Sequence, residues 1–120
     1  MATLYPFIRV PDVAIAKSWY ESIGFTCIGI HEELSCGLDW AMMQWDDAIF
    51  MLYPQLENTI TNANNCGLYF NMDTIEGLKE KLDGKARIIE VVEETEYGRK
   101  EITFHDCYGF QVTFSCVQTP

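Results

Sequence analysis

Positive charge is scarce in this chain: eight Lys and Arg stand against eighteen Asp and Glu, a formal net charge of -10. Such a balance repels nucleic acid and anionic membrane surfaces, so neither is expected as a partner. It attracts a cationic ligand, although the same acidity also serves plain solubility. Long apolar runs are missing, which excludes a membrane-spanning helix, and no basic segment followed by an apolar stretch opens the chain. A cytoplasmic protein without a signal peptide is the expectation. The five cysteines, at 27, 36, 66, 107 and 116, form no C-x-x-C pair, and neither His31 nor His105 is spaced from them as in a zinc site. They are expected to be reduced and mostly buried. Low-complexity stretches are absent as well, and 48% hydrophobic against 22% charged residues marks a globular chain. At 120 residues it is one small domain that gains from a partner subunit, so a homodimer is expected.

What is present is a pattern that occurs twice. Residues 4–10 alternate, with Tyr5, Phe7 and Arg9 on one face and Leu4, Ile8 and Val10 on the other. Pro11-Asp12 ends that strand, and Asp12 caps a helix in which Ala16, Trp19, Tyr20 and Ile23 recur at helical spacing up to Gly24. A strand over 25–30 and a loop over 31–38 follow. Residues 40–53 then form a hairpin broken at Asp46-Asp47. Pairing Trp45 with Ala48 sets the register: Gln44 opposes Ile49, Met42 opposes Met51 and Trp40 opposes Tyr53 on one surface. Ala41, Met43, Phe50 and Leu52 share the other surface.

The stretch 55–65, rich in Asn and Thr, has the composition of a linker. Beyond it Leu68, Phe70 and Met72 alternate with Tyr69 and Asn71. Asp73 is the expected cap of a helix striped by Ile75, Leu78 and Leu82, with Gly84 after it. A strand over 88–92 precedes a closing hairpin, in which Ile102 and Phe104 alternate with Glu101, Thr103 and His105. Asp106 and Gly109 bracket its turn, and Val112 and Phe114 alternate with Gln111, Thr113 and Ser115. The chain therefore reads as a duplicated α+β architecture of two βαβββ modules, about 1–54 and 66–120, forming a single domain.

Three features carry a family resemblance: the duplication, the opening from Arg9-Val10-Pro11-Asp12 through Trp19-Tyr20 to Gly24-Phe25, and the Tyr97 to Phe114 hairpin. Together they resemble the vicinal oxygen chelate superfamily of glyoxalases, extradiol dioxygenases and bleomycin-resistance proteins. The resemblance implies two curled mixed sheets, each with its helix on the convex side, enclosing a cleft. Metal-dependent members of that superfamily place four ligands in the cleft, and the corresponding positions here are Tyr5, Met51, Gly67 and Thr113. These do not make a divalent-metal site, because glycine has no side chain, thioether is soft, and threonine and neutral tyrosine are weak donors. No His, Asp or Glu appears in an adjacent register, so no metal and no other cofactor are expected.

With the faces assigned this way, the cleft carries Tyr5, Phe7, Arg9, Trp40, Met42, Met51 and Tyr53 from the first module. The second contributes Tyr69, Asn71, Glu101, Thr103, Gln111 and Thr113. Aromatic faces and thioethers suit a flat, partly cationic organic molecule. Arg9 and Glu101 are placed to pair with each other or with ligand charge. Among metal-free members the bleomycin-resistance proteins are the most similar, which implies small-molecule binding and antibiotic sequestration by a dimer. Two alternatives stand beside that reading. One is a lyase, isomerase or dioxygenase-like enzyme with non-standard residues, using Tyr5, Glu101 or His105 as acid or base. The other is a regulatory interaction module with a vestigial cleft. No catalytic residue is assigned: His31 in a loop and His105 at a strand end are read as edge residues, and Cys107 as a turn residue.

Overall fold

The computed structural model describes residues 1–35, 37–56 and 66–117. Most of the expected 55–65 linker and Cys36 lie outside the described residues. The chain forms two compact units, Met1–Thr61 and Asn62–Pro120.

The first unit runs β1 (Phe7–Val10), α1 (Val13–Ile23), β2 (Thr26–Glu33), β3 (Gly37–Trp45) and β4 (Ala48–Pro54). The second runs β5 (Gly67–Asn71), α2 (Leu78–Leu82), β6 (Arg87–Val92), β7 (Arg99–His105) and β8 (Gln111–Val117). Each unit is βαβββ, as expected from the sequence. Each holds one four-stranded mixed sheet, in the orders β1-β4-β3-β2 and β5-β8-β7-β6, with the first pair parallel and the others antiparallel. Among the described residues no helix is long and apolar enough to cross a membrane.

Helix α1 begins where the Asp12 carboxylate accepts the Ile15 amide at 3.0 Å, satisfying a donor the helix leaves unpaired. Gly24, at φ 124°, ends it in a conformation that an L side chain rarely adopts. Val13, Ala16, Tyr20 and Ile23 are its buried stripe. Tyr20 packs edge-on against Phe25 and Phe50 at centroid distances of 5.3 and 5.0 Å. In the second unit Phe114 meets Phe70 and Phe104 at 5.5 and 5.2 Å.

The β3–β4 register is the expected one: Trp45 opposes Ala48, Gln44 opposes Ile49 and Met42 opposes Met51. Asp46, at φ 51°, takes the left-handed turn position that Asp tolerates better than most residues. The closing turn is tied by Asp106, whose Oδ1 accepts the amides of Tyr108 and Phe110, both at 2.9 Å.

Two expectations are corrected. Helix α2 starts at Leu78 rather than after Asp73. The Thr74 hydroxyl takes the Glu76 amide at 3.1 Å in a local turn, and Gly77 is left-handed at φ 79°, so the helical path opens only beyond it. The expected loop over 31–38 is largely strand, since β2 continues to Glu33 and β3 starts at Gly37. Most of the residues at these strand ends are exposed, and no buried alternation marked them in the sequence.

One irregularity occurs in both units. Cys27 opposes Met43 but Gly29 opposes Met42, which leaves Ile28 as the extra residue of a β-bulge. Ile88 opposes Phe104 and Glu90 opposes Thr103, which leaves Ile89 in the same role.

Candidate functional site

In each sheet the face away from the buried core holds most of the expected ligand-binding residues. On the first sheet the ladder lines up Phe7, Met51, Met42 and Gly29, and Arg9 lies beside Tyr53. The Phe7 and Tyr53 rings meet edge-on at 5.0 Å. The Arg9 guanidinium lies 5.6 and 5.5 Å from their centroids and donates to the Pro54 carbonyl at 3.0 Å. Arg9 thus works within its own unit, holding a cation against two rings. Trp40, two residues from Met42, shares this face, and its indole lies over β2. A Cβ added at Gly29 would come within 3.0 Å of Trp40 Cζ3, so glycine there makes room for the ring. Tyr5 stands before β1 and is exposed. Trp40, Met42, Met51 and Tyr53 are half-buried and Phe7 is exposed, so this apolar face is partly open to solvent.

On the second sheet the corresponding face is polar. The ladder lines up Tyr69, Thr113 and Thr103 in one row and Asn71, Ser115 and Glu101 in the next. Gln111 opposes both Gly67 and His105. Glu101 is the hub. Tyr69 donates its hydroxyl to Oε2 at 2.6 Å, Tyr97 donates at 2.9 Å to both carboxylate oxygens, and Ser115 donates to Oε2 at 3.1 Å. Arg99 donates Nε to the Ser115 hydroxyl at 2.6 Å and a further N–H to the Asn71 side-chain oxygen. The Thr103 and Thr113 hydroxyls bond each other at 2.9 Å. Ser115 is fully buried and Thr113 is 8% exposed, so their hydroxyls need the partners they find, while Tyr69 and Tyr97 reach Glu101 from the exposed side of the face.

These bonds fix the ionisation of Glu101. The Tyr69 hydroxyl first, then Tyr97, Ser115 and the nearby Arg99 guanidinium, hold its carboxyl below its ordinary value against the opposing effect of partial burial. The same contact, seen from Tyr97, raises that phenol, because losing its proton would forfeit the bond to Glu101. A carboxylate therefore stands on this face at neutral pH. Tyr97 and Arg99 were absent from the residues expected at the site, although their two-residue spacing back from Glu101 carries the signal.

The cysteines and histidines fall elsewhere. Cys27 and Cys66 are half-buried and Cys116 is buried. Cys107 is exposed in the turn, as expected, but the expectation that most of the cysteines are buried is corrected, since among the described residues Cys116 alone is. Desolvation first and the Asp106 carboxylate second push the Cys107 thiol up to about 12, so it stays protonated at neutral pH. His105 ends β7. His31, expected in a loop, lies in β2, where the Asp39 carboxylate at 2.7 Å raises it by hydrogen bond and by charge.

The superfamily's metal does not fit its corresponding positions. The ladder sets Phe7 beside Met51 and Tyr69 beside Thr113, with Tyr5 two residues before Phe7 and Gly67 two before Tyr69. Among these side chains there is no imidazole, carboxylate or thiolate to bind a divalent ion.

No protein-family model and no curated protein matches the sequence. Solved structures do match. TioX from Micromonospora sp. ML1 superposes with a TM-score of 0.79 at 14% identity, covering 97% of this chain and 98% of its own. A bleomycin-binding protein complexed with bleomycin gives 0.68 at 14% identity, covering all of both chains. This protein has the glyoxalase/bleomycin-resistance fold. A lactoylglutathione lyase from Agrobacterium tumefaciens shares the fold too, at a TM-score of 0.72 and 14% identity over 96% of this chain and 92% of the lyase. At such identities the likeness is one of fold, and the chemistry has to be argued from the two faces.

Proposed function

We propose that this protein binds a hydrophobic, aromatic or cationic organic molecule without a metal, as a cytoplasmic homodimer, in the manner of antibiotic sequestration. The observation that carries the reading is the open face of the first unit. There Phe7, Tyr53 and Trp40 present rings and Met42 and Met51 present thioethers, outside the core and exposed or only half-buried. Rings stack on flat ligands and attract cations, while thioethers adjust to shape. On its own face the second unit carries a fixed negative charge, Glu101, suited to an ammonium or guanidinium group. A neighbour in fold is a bleomycin-binding protein, which is consistent with this class of ligand. Sequestration asks for binding alone, and the residues at the superfamily's metal positions supply no Lewis-acid site.

Metal-free bleomycin and ethidium, as a simple aromatic cation, are the probes. A ligand at about one hundred times its Kd stabilises the folded state by about 2.7 kcal/mol, which reads as a rise in Tm. The expected result is a saturable rise with at least one probe that chelator leaves unchanged and that W40A weakens. Binding abolished by chelator, or no rise with either probe, refutes the proposal. Sedimentation at micromolar concentration is expected to return twice the chain mass.

A further inference from the structure

The geometry points to a separate metal-binding site at the hairpin end of the β2–β3 ladder, formed by His31, Glu33 and Asp39 and suited to a first-row divalent transition ion. One donor atom from each residue lies within 4.8 Å of the other two. His31 Nδ1 is 2.7 Å from Asp39 Oδ1. Simple alternation forbids that meeting: His31 opposes Trp40, so Asp39, the neighbour of Trp40, belongs to the opposite face. The ladder steps from His31 opposite Trp40 to Glu32 opposite Leu38, and Asp39 is left as the extra residue of a second bulge. A bulge re-aims its extra side chain, and here it turns a carboxylate onto the imidazole. Glu33 lies two residues from His31 on the same strand and so projects to the same side.

One imidazole and two carboxylates form a donor set for zinc, cobalt or nickel. Bonds of about 2.1 Å at tetrahedral angles set two ligands of one ion about 3.4 Å apart. A spread within 4.8 Å therefore needs closing by up to about 1.4 Å, through rotation of the exposed Glu33, while the 2.7 Å contact of His31 with Asp39 opens by about 0.7 Å. Three protein ligands leave coordination positions open. Glu33 and Asp39 also line a cavity of about 650 Å³ with Asp12, Val13, Leu38 and Pro54, which gives water or a small chelating molecule room to complete the shell. The site shares no residue with the four positions that correspond to the superfamily's metal ligands, and it stands whether or not the first unit's face binds an organic molecule.

The test is titration of the reduced full chain with Co²⁺ alone, followed by visible absorption and calorimetry. The expected result is one ion per chain, d–d bands without thiolate-to-cobalt charge transfer, and affinity at least about tenfold weaker in H31A and in D39N. The variant H105A, which removes the other histidine, is expected to bind as the parent does, and E33Q, which keeps the side chain's size, is expected to weaken binding. Unchanged affinity in H31A overturns the site, as does a charge-transfer band from a cysteine. Failure to saturate below about 1 mM overturns it as well.

Discussion

The two units share a topology and a bulge, and the bulge gives a common origin for comparing them residue by residue. It aligns Met42 with Thr103, and the ladders then align Met51 with Thr113 and Phe7 with Tyr69. On the core faces the paired positions are alike: Ile8 with Phe70, Ala41 with Ile102, Met43 with Phe104, Phe50 with Val112, Leu52 with Phe114. All ten are buried and apolar. On the other faces Phe7 and Tyr69 are both aromatic, but the remaining pairs differ in kind: Met42 with Thr103, Met51 with Thr113, Tyr53 with Ser115, Trp40 with Glu101, Arg9 with Asn71. A core face must fill space at crystal-like density, so its chemistry is constrained. The opposite face is less constrained, and the two copies have become a ring-and-thioether surface and a hydrogen-bonded polar one. Function in a shared fold resides in such faces.

The comparison breaks first if the cores are not equivalent. Leu52→Ala and Phe114→Ala occupy matching, fully buried positions. They are expected to cost about 2–5 and 3–5 kcal/mol in denaturant unfolding. A small loss at only one of them would show that one unit is loosely packed. Next in size is the polar hub: Glu101→Ala removes the acceptor of Tyr69, Tyr97 and Ser115 and is expected to cost about 1.5–3 kcal/mol, the range for bonds to a charged group. Trp40→Ala at the matching position is expected to affect ligand binding more than stability.

Acidity sharpens the same contrast. Folding lowers the Glu101 carboxyl from its ordinary 4.5, so its contribution is fully present above that value and is lost as pH falls through the folded pKa. In E101Q the acid limb of the stability curve should flatten; an unchanged limb would assign the loss to other carboxylates. Thr103 and Thr113 give a smaller effect. Either one changed to Val is expected to cost about 1 kcal/mol, whereas the double change is expected to cost less than the sum, because no hydroxyl is then left unpaired. The smallest effect is Arg9→Gln, about 0.5–1 kcal/mol for a partly exposed cation over two rings.

How much of this could be read from the chain varies with how each feature is encoded. The β3–β4 register was legible because Asp46-Asp47 leaves a two-residue turn and alternation on either side admits one pairing. The division of Met42 and Met51 from Met43 and Phe50 followed from it. Helix α2 was legible in Leu78 and Leu82 of its stripe but not in Ile75 or its start, since the competing turn at Thr74 and the left-handed Gly77 are local choices that a cap rule does not weigh. The Glu101 network was half legible. Glu101, Tyr69 and Asn71 follow from alternation, but the ties from Tyr97 and Arg99 depend on how far β7 extends before its hairpin. The meeting of Asp39 with His31 was hidden altogether, because a bulge reverses the face that alternation assigns.

The bulges at Ile28 and Ile89 have one more consequence. Strands β2 and β6 each close one side of their sheet, and a straight closing strand offers its free amides and carbonyls as a template for another chain to polymerise on. An extra residue bends that strand and breaks its even spacing. A neighbour's extended backbone then loses its match after a few residues. Two exposed isoleucines, which by hydrophobicity alone invite fibre growth, sit where the backbone is least able to propagate it.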